Sequence, residues 1–260
     1  MRIITGCSRS GTSFISQAVH HLGGDFGAPE DLIDADRWNE KGYFENRAVN
    51  TLNHKLLFGP WSNPRLWIDI MWPRNPWIHI RKLATIAQGP VLSRPSLIRQ
   101  RGRKLMGELT SLGKSLEGKV AKDPRFSYLM EPWVESGTVH SVLYVLRHPT
   151  EAARSMSKQT KLPLKLTYMG WLDAIEKFWN EPPGVPVHIV DYNAFFDPEK
   201  REREMRTLSE FLGGDHSQAS LDEIVDKVLD KRLRTQDRSS EDLPKKIRDA
   251  YNSVLERKPS

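Results

Sequence analysis

The sequence predicts a three-layer α/β protein in which a central parallel β-sheet is flanked by helices on both faces. Strand-length apolar runs alternate with stretches whose apolar residues recur at helical spacing, and this alternation is typical of parallel sheets. The run at 142–146 is apolar throughout, as expected of a strand covered on both faces. With 260 residues, the chain is near the upper limit for one hydrophobic core, so we expect a single domain over residues 1–260.

The elements follow one another in a regular order along the chain. The predicted strands lie at 2–5, 118–121, 142–146 and 187–190, and the predicted helices at about 15–22, 149–157, 172–179 and 198–211. Gly23 and Gly24 are expected to end the first helix, and Pro149 is expected to begin the second. Asp197 before Pro198 is a capping residue for the last helix.

Two regions interrupt this alternation. A helical or irregular insertion, expected to form a lid, covers about residues 50–118 and includes four tryptophans between Trp61 and Trp77. Residues 70–107 contain no Asp or Glu and are rich in Arg and Lys, particularly at 74–104. This stretch either binds an anionic partner or is a solvated face of a helix whose leucines pack. The charged tail at about 231–260 is expected to be partly mobile.

Composition excludes several classes of protein. A single cysteine, Cys7, rules out an internal disulfide framework, and no Cys/His cluster has zinc spacing, so we expect a reducing compartment and no metal. The apolar runs fall far short of the roughly twenty residues of a membrane helix, and the first residues lack the apolar segment of a signal peptide. We therefore expect a cytoplasmic protein. Its net charge of +6 is compatible with anionic small molecules, membranes or nucleic acid as binding partners, and charge alone does not distinguish among them.

The loop after the first strand carries the clearest functional signal. Residues 6–13 read Gly-Cys-Ser-Arg-Ser-Gly-Thr-Ser between a strand and a helix, where backbone N–H groups can surround a phosphate, so a P-loop-like fold is expected. A triphosphate-binding loop needs Lys after its second glycine, but here that residue is Thr12, and the positive charge is Arg9. The alternative is a tight turn built from small residues. The expected binding residues are Arg9, Ser10, Gly11, Thr12 and Ser13.

A second anion site is predicted after the strand at 142–146. That strand ends at Arg147, and Ser155 follows eight residues later on the helix that Pro149 begins. An arginine and a hydroxyl near one helix N-terminus suit a phosphate group. We expect this site to lie at a distance from the first, so the two together predict a ligand with two anionic ends.

These motifs together resemble those of sulfotransferases that use 3′-phosphoadenosine 5′-phosphosulfate (PAPS), and more closely the bacterial and carbohydrate types than the phenol type. Residues 7–13 resemble the family's 5′-phosphosulfate loop, with Arg9 where many members have Lys. Arg147 and Ser155 resemble, at the same separation, the pair that binds the 3′-phosphate. The resemblance implies in-line transfer of a sulfuryl group from PAPS to a hydroxyl without a metal, leaving 3′,5′-adenosine bisphosphate (PAP).

The resemblance also suggests which group takes the proton from the acceptor hydroxyl. Cytosolic-type members have a His in the segment that here reads Lys-Asp-Pro-Arg at 122–125, and no His occurs there. Glu45, in the sequence Gly-Tyr-Phe-Glu, resembles the glycine-aromatic-Glu element of bacterial relatives and is the favoured general base. Glu30 is its rival, because carbohydrate- and tyrosine-directed members have a Glu at a similar distance after the loop helix. Arg9 would stabilise charge on the leaving phosphate oxygen.

The acceptor and two competing functions stay open at this stage. The acceptor is expected to be a hydroxyl of a small molecule or a carbohydrate, and the basic stretch suits an anionic one. One rival function is a small-molecule kinase, against which Thr12 argues. The other is a module that binds a nucleotide without chemistry. Nucleic acid is not expected as a partner, because few aromatic residues interleave the basic ones.

Overall fold

In the computed structural model of the chain, residues 1–34, 42–59, 94–214, 218–228 and 243–258 are described. Four strands within these ranges form one parallel sheet: β1 Arg2–Gly6, β2 Val120–Lys122, β3 Ser141–Leu146 and β4 Val187–Asp191. Their order across the sheet is β2-β1-β3-β4. The predicted α/β class with a central parallel sheet is confirmed.

Helices connect and cover the strands. The described helices are α1 Thr12–His21, α2 Arg47–Phe58, α3 Pro95–Ser115, α4 Phe126–Glu135, α5 Pro149–Thr160, α6 Leu164–Asn180, α7 Pro198–Leu212, α8 Gln218–Val228 and α9 Lys245–Glu256. Two short 3₁₀ helices lie at Pro29–Asp31 and Tyr192–Phe196. None of the described helices combines the length and the hydropathy that a membrane span requires.

Capping groups in the sequence set several helix boundaries. Asn46 accepts hydrogen bonds from N–H groups in the first turn of α2. Asp197 accepts one from the N–H of Glu199 in the first turn of α7, and this cap was predicted. After α1, the N–H of Gly24 donates to the carbonyl of Val19 at 2.8 Å. The predicted stop at the glycine pair is confirmed.

Both faces of the sheet are covered, because successive side chains of a strand point to opposite sides. In β3, Tyr144 lies in one hydrophobic cluster, while Leu143 and Val145 lie in another, and all three are fully buried. The first cluster includes residues of α2, α3, α4, α6 and α9, and the second includes residues of α1, α7 and α8. The helices and the sheet therefore form three layers.

The described parts of the predicted insertion pack into the core. Leu52 and Leu56 of α2 and Ile98 and Leu109 of α3 are buried in the first cluster. The basic stretch therefore continues into a helix whose apolar residues pack, which was one of its two interpretations. The tryptophans between residues 61 and 77, and the basic residues before residue 94, lie outside the described residues.

Part of the predicted tail forms a helix. Residues 245–256 form α9, whose Ile247 and Val254 are buried in the first cluster. These buried side chains anchor this segment of the tail to the core, and the partial mobility of the tail stays a prediction. Residues 229–242, which include the start of the tail, lie outside the described residues.

The strand order opens a crevice at the carboxyl ends of β1 and β3. After β1 the chain continues to β2 on one side, and after β3 it continues to β4 on the opposite side. In open α/β sheets, ligands bind where the strand order reverses in this way. The loop at 6–13 follows β1, and Arg147 follows β3.

Candidate functional site

The loop between β1 and α1 has the geometry of an anion site. Gly11 caps α1 without a side-chain hydrogen bond, and the first N–H groups of any α-helix lack partners within the helix. The hydroxyl of Ser10 is buried and has no hydrogen-bond partner among the described residues. Because a buried hydroxyl without a partner costs roughly 1–3 kcal/mol, an oxygen-rich ligand that supplied one would be favoured here.

Arg9 connects the loop to the residues that follow β3. Its Nε donates to Oγ of Ser155 at 3.1 Å, and its carbonyl accepts from Nη1 of Arg147 at 3.2 Å. The backbone of Arg9 is left-handed, with φ of 68°, a conformation that costs free energy for a residue other than glycine. We expected the two anion sites to lie apart, and this was wrong, because the parallel pairing of β1 with β3 brings their C-terminal loops together.

Arg147 is enclosed by groups of three different kinds. Its Nε donates to Oε2 of Glu151 at 3.1 Å, and both side chains are more than nine-tenths buried. Its guanidinium carbon lies 4.4 Å from the centre of the Tyr192 ring. The other oxygen of Glu151 accepts from the side-chain amide of Asn193 at 2.8 Å. The orientation of Arg147 is therefore fixed by a carboxylate, an aromatic ring and the carbonyl of Arg9.

On the opposite side of β1, Lys122 connects Glu45 to the loop helix. Nζ of Lys122 lies 2.7 Å from Oε1 of Glu45 and 3.2 Å from Oγ of Ser13. Lys122 stands opposite Ile4 in the pairing of β2 with β1, so the sheet itself carries its side chain to this position. The Lys122 side chain is 2% exposed and that of Glu45 is 14% exposed. A carboxylate, an ammonium group and a loop hydroxyl thus form a continuous chain.

The position of Glu45 is fixed through both its backbone and its side chain. The N–H of Ile33 donates to the Glu45 carbonyl at 2.8 Å, and the side-chain amide of Asn50 donates to Oε2 at 3.2 Å. The preceding residue, Phe44, is left-handed with φ of 55°, and its ring packs 5.0 Å from that of Phe26. Strained backbone of this kind clusters at functional sites.

Glu30 lies elsewhere. It belongs to the one-turn helix Pro29–Asp31 and is exposed to solvent. None of the contacts described for residues 6–13 involves Glu30, whereas Glu45 reaches Ser13 through Lys122. Of the two candidate carboxylates, Glu45 is therefore the one that the fold connects to the loop.

Asp123 and Arg125, which follow Lys122, form a buried ion pair. Nη2 of Arg125 lies 2.6 Å from Oδ2 of Asp123, whose side chain is 2% exposed. Burial opposes ionisation of Asp123, but the charge of Arg125 and the hydrogen bonds outweigh it and lower the pKa of Asp123. Asn53 adds one of these bonds at 2.9 Å. The pair holds the end of β2 against α2.

Two other side chains near the site are structural. Cys7 is buried, and burial raises its pKa to about 12, so it remains a thiol. Its sulfur lies 3.7 Å from the Tyr144 hydroxyl.

His54 packs its ring 4.3 Å from that of Phe58. Burial lowers the pKa of His54, and the positive charge of Arg125 contributes to this lowering.

Sequence reasoning missed the residues that position Arg147 and Glu45. Glu151 had a usable signal, because it is an acidic residue in the first turn of the helix that Pro149 begins, only four residues after Arg147. No sequence signal placed Asn193 or Tyr192 beside Arg147, since both come from the 3₁₀ helix after β4. The pairing of Lys122 with Glu45 also joins distant segments.

Comparison of the chain with protein-family models, with curated proteins and with solved structures found no match. Within the described residues, no group of three or more His, Cys, Asp or Glu side chains could hold a metal ion.

Proposed function

We propose that this protein is a sulfotransferase that moves a sulfuryl group from PAPS to the hydroxyl of an acceptor. One observation carries the proposal: Arg9 contacts both Ser155 and Arg147 in the crevice between β1 and β3. These residues resemble the two phosphate sites of the family. Both phosphate groups of PAPS are attached to a single ribose, so adjacent anion sites suit this nucleotide.

The residues of the loop favour PAPS over a triphosphate. Thr12 occupies the position of the lysine that a triphosphate-binding loop needs. The start of α1 and the buried hydroxyl of Ser10 suit the 5′-phosphosulfate. Arg147 and Ser155 suit the 3′-phosphate, which ATP lacks.

Glu45 and Arg9 are proposed to act on opposite sides of the transferred group. Glu45 takes the proton of the acceptor hydroxyl, and the oxygen of that hydroxyl forms a bond to sulfur. The bond between sulfur and the 5′-phosphate oxygen breaks in line, and its electron pair stays on PAP. Arg9 and the N–H groups of the loop stabilise the charge that develops on this oxygen.

Ligand binding tests the donor half of the proposal. We expect PAP to raise the unfolding temperature more than ATP with magnesium or single-stranded DNA does. Stabilisation by ATP with magnesium alone would favour a kinase, and stabilisation by DNA alone would favour a nucleic-acid binder. Labelled PAPS screened against glycans, glycolipids and phenols then tests transfer. A bound donor with transfer to none of them would favour a binding module.

Replacement of Arg147 by alanine is expected to weaken PAP binding by roughly ten- to a hundredfold. A hydrogen bond to a charged group contributes about 1.5–3 kcal/mol, which corresponds to this change in affinity. Isothermal titration calorimetry measures the dissociation constant. Arg206→Ala is the control, because Arg206 forms an exposed ion pair with Glu202 on α7. An unchanged dissociation constant for Arg147→Ala would refute its assignment to the 3′-phosphate.

Gly11→Ala is expected to lower PAP affinity about tenfold or more. A Cβ atom at Gly11 would lie 2.2 Å from Cδ2 of Tyr192, and the φ of 91° disfavours any side chain. Tyr192 is buried and packs 5.5 Å from the ring of Phe14, so its ring has little room to move. Calorimetry and thermal unfolding measure the effect. In the control Gly107→Ala, nothing lies within 4 Å of the new atom; equal affinities in both variants would contradict the expectation.

A further inference from the structure

The loop at 6–13 rests on Arg147 and Tyr192 at two separate points. Nη1 of Arg147 donates to the carbonyl of Arg9, and the ring of Tyr192 lies directly against Gly11. The guanidinium of Arg147 also lies over that ring. The two supports are therefore packed against each other and cannot move independently.

The peptide between Arg9 and Ser10 is held at both of its polar atoms. Its carbonyl accepts from Arg147, and its N–H donates to the carbonyl of Cys7 at 3.0 Å. This peptide follows the left-handed residue Arg9, whose conformation needs support from its surroundings. It also carries Ser10, whose buried hydroxyl lacks a partner among the described residues.

Glu151 fixes Arg147 in the position from which it reaches the loop. One carboxylate oxygen accepts from Nε of Arg147, and the other accepts from the side-chain amide of Asn193. The side-chain oxygen of Asn193 in turn accepts from the N–H of His148 at 2.9 Å. The network closes on the backbone next to Arg147, so the carboxylate has one orientation. It lies too deep to meet solvent freely, at 9% exposure.

We propose that Arg147 also braces the loop, so that it supports binding at the 5′ end of the donor as well as at the 3′-phosphate. Glu151 is a positioning residue that acts through Arg147. This inference rests on the proposed function, which supplies the nucleotide. Its consequence is that loss of Arg147 weakens the binding of a nucleotide that has no 3′-phosphate.

Adenosine 5′-monophosphate (AMP) provides the test, because it lacks the 3′-phosphate that PAP carries. For Arg147→Ala and for Glu151→Gln, we expect the dissociation constant of AMP to rise about fivefold or more relative to wild type. The control is Asp173→Asn, which breaks a less deeply buried i,i+4 ion pair, with Lys177 on α6, and should leave AMP affinity unchanged. Isothermal titration calorimetry with AMP and with PAP gives the dissociation constants of wild type and of each variant.

The outcomes separate this inference from the proposed function. If wild-type protein binds PAP no more tightly than AMP, the proposed donor is wrong. If it prefers PAP but both variants keep wild-type affinity for AMP, the donor assignment stands and the brace is overturned.

Hydrogen exchange of the unliganded protein tests the brace without any ligand. In Glu151→Gln, amides in the loop at 6–11 should exchange faster than in wild type and in Asp173→Asn, while those of β4 should not change. This measurement also decides the question if Arg147→Ala fails to fold. Unchanged exchange in the loop would overturn the inference.

Discussion

Replacement of Glu45 by glutamine is expected to lower turnover by roughly 10²–10⁴-fold while the affinity for PAP stays the same. A glutamine keeps the shape of the side chain and can still meet Asn50, but it cannot take a proton from the acceptor. Donor affinity is retained because Arg147 and Ser155 lie on the other side of β1. Transfer of label from PAPS to the acceptor found by screening gives turnover, and calorimetry gives PAP affinity.

The variant also leaves the buried Lys122 without its ionic partner, so loss of stability has to be separated from loss of chemistry. The double variant Glu45→Gln with Lys122→Met removes both charges, and we expect it to regain stability without regaining turnover. Glu108→Gln, which alters an exposed ion pair with Lys55, is the surface control. Near-wild-type turnover in Glu45→Gln, together with a loss in Glu30→Gln, would transfer the role of base to Glu30.

Local signals were sufficient to predict most of the elements of the sheet. β3 contains the apolar run at 142–146, and Asp197 and Pro149 mark helix starts that the structure confirms. α4 was missed because Pro132 lies inside it and interrupts the pattern expected of a helix. β2 begins two residues later than predicted, since Gly118 adopts a φ of 78° that belongs to a turn.

The candidate site shows a different limit of sequence reasoning. Arg9 was recognised in one local motif, and Arg147 together with Ser155 in another. The contacts of Arg9 with Arg147 and with Ser155 follow from the pairing of β1 with β3, which the motifs do not specify. The contact between Glu45 and Lys122 likewise joins residues 77 positions apart. Motifs therefore identified the chemical groups, and the strand order determined which of them meet.

The same strand order separates the two halves of the proposed reaction. β3, on one side of β1, carries Arg147, and β2, on the other side, carries Lys122 and through it Glu45. The loop that follows β1 lies between them. An in-line transfer requires the attacking and leaving oxygens on opposite sides of sulfur. In the proposed reaction the loop binds the leaving oxygen and Glu45 reaches the acceptor from the β2 side, so the attacking oxygen would approach sulfur from the side away from the loop.

Lys258→Met is expected to destabilise the protein by roughly 3–5 kcal/mol at neutral pH, because it removes the cation that pairs with a buried carboxylate. Lys258 lies just after α9 and contacts Oε1 of Glu204 on α7; the two side chains are 9% and 2% exposed. The other oxygen of Glu204 accepts from the N–H of Asp191 at 2.8 Å. Urea unfolding at pH 7 measures the loss.

The pH dependence of this loss identifies its cause. Burial raises the pKa of Glu204 above its ordinary value, while Lys258 opposes the rise. A raised pKa in the folded state means that the contribution of this group to stability falls as the pH rises through that pKa. Without Lys258 the pKa of Glu204 rises further. The stability lost in Lys258→Met should therefore be greatest at neutral pH, and it should shrink as the pH falls toward the ordinary glutamate pKa of about 4.3.

Two further variants complete the test of the buried pair. Glu204→Gln combined with Lys258→Met should recover much of the lost stability, because no unpaired charge remains. Lys245→Met, which breaks an exposed pair with Asp249 on α9, should change stability by about 1 kcal/mol at most. Since the Lys258 side chain is itself buried against α7, a loss of stability that does not vary with pH would indicate lost packing instead of an unpaired carboxylate.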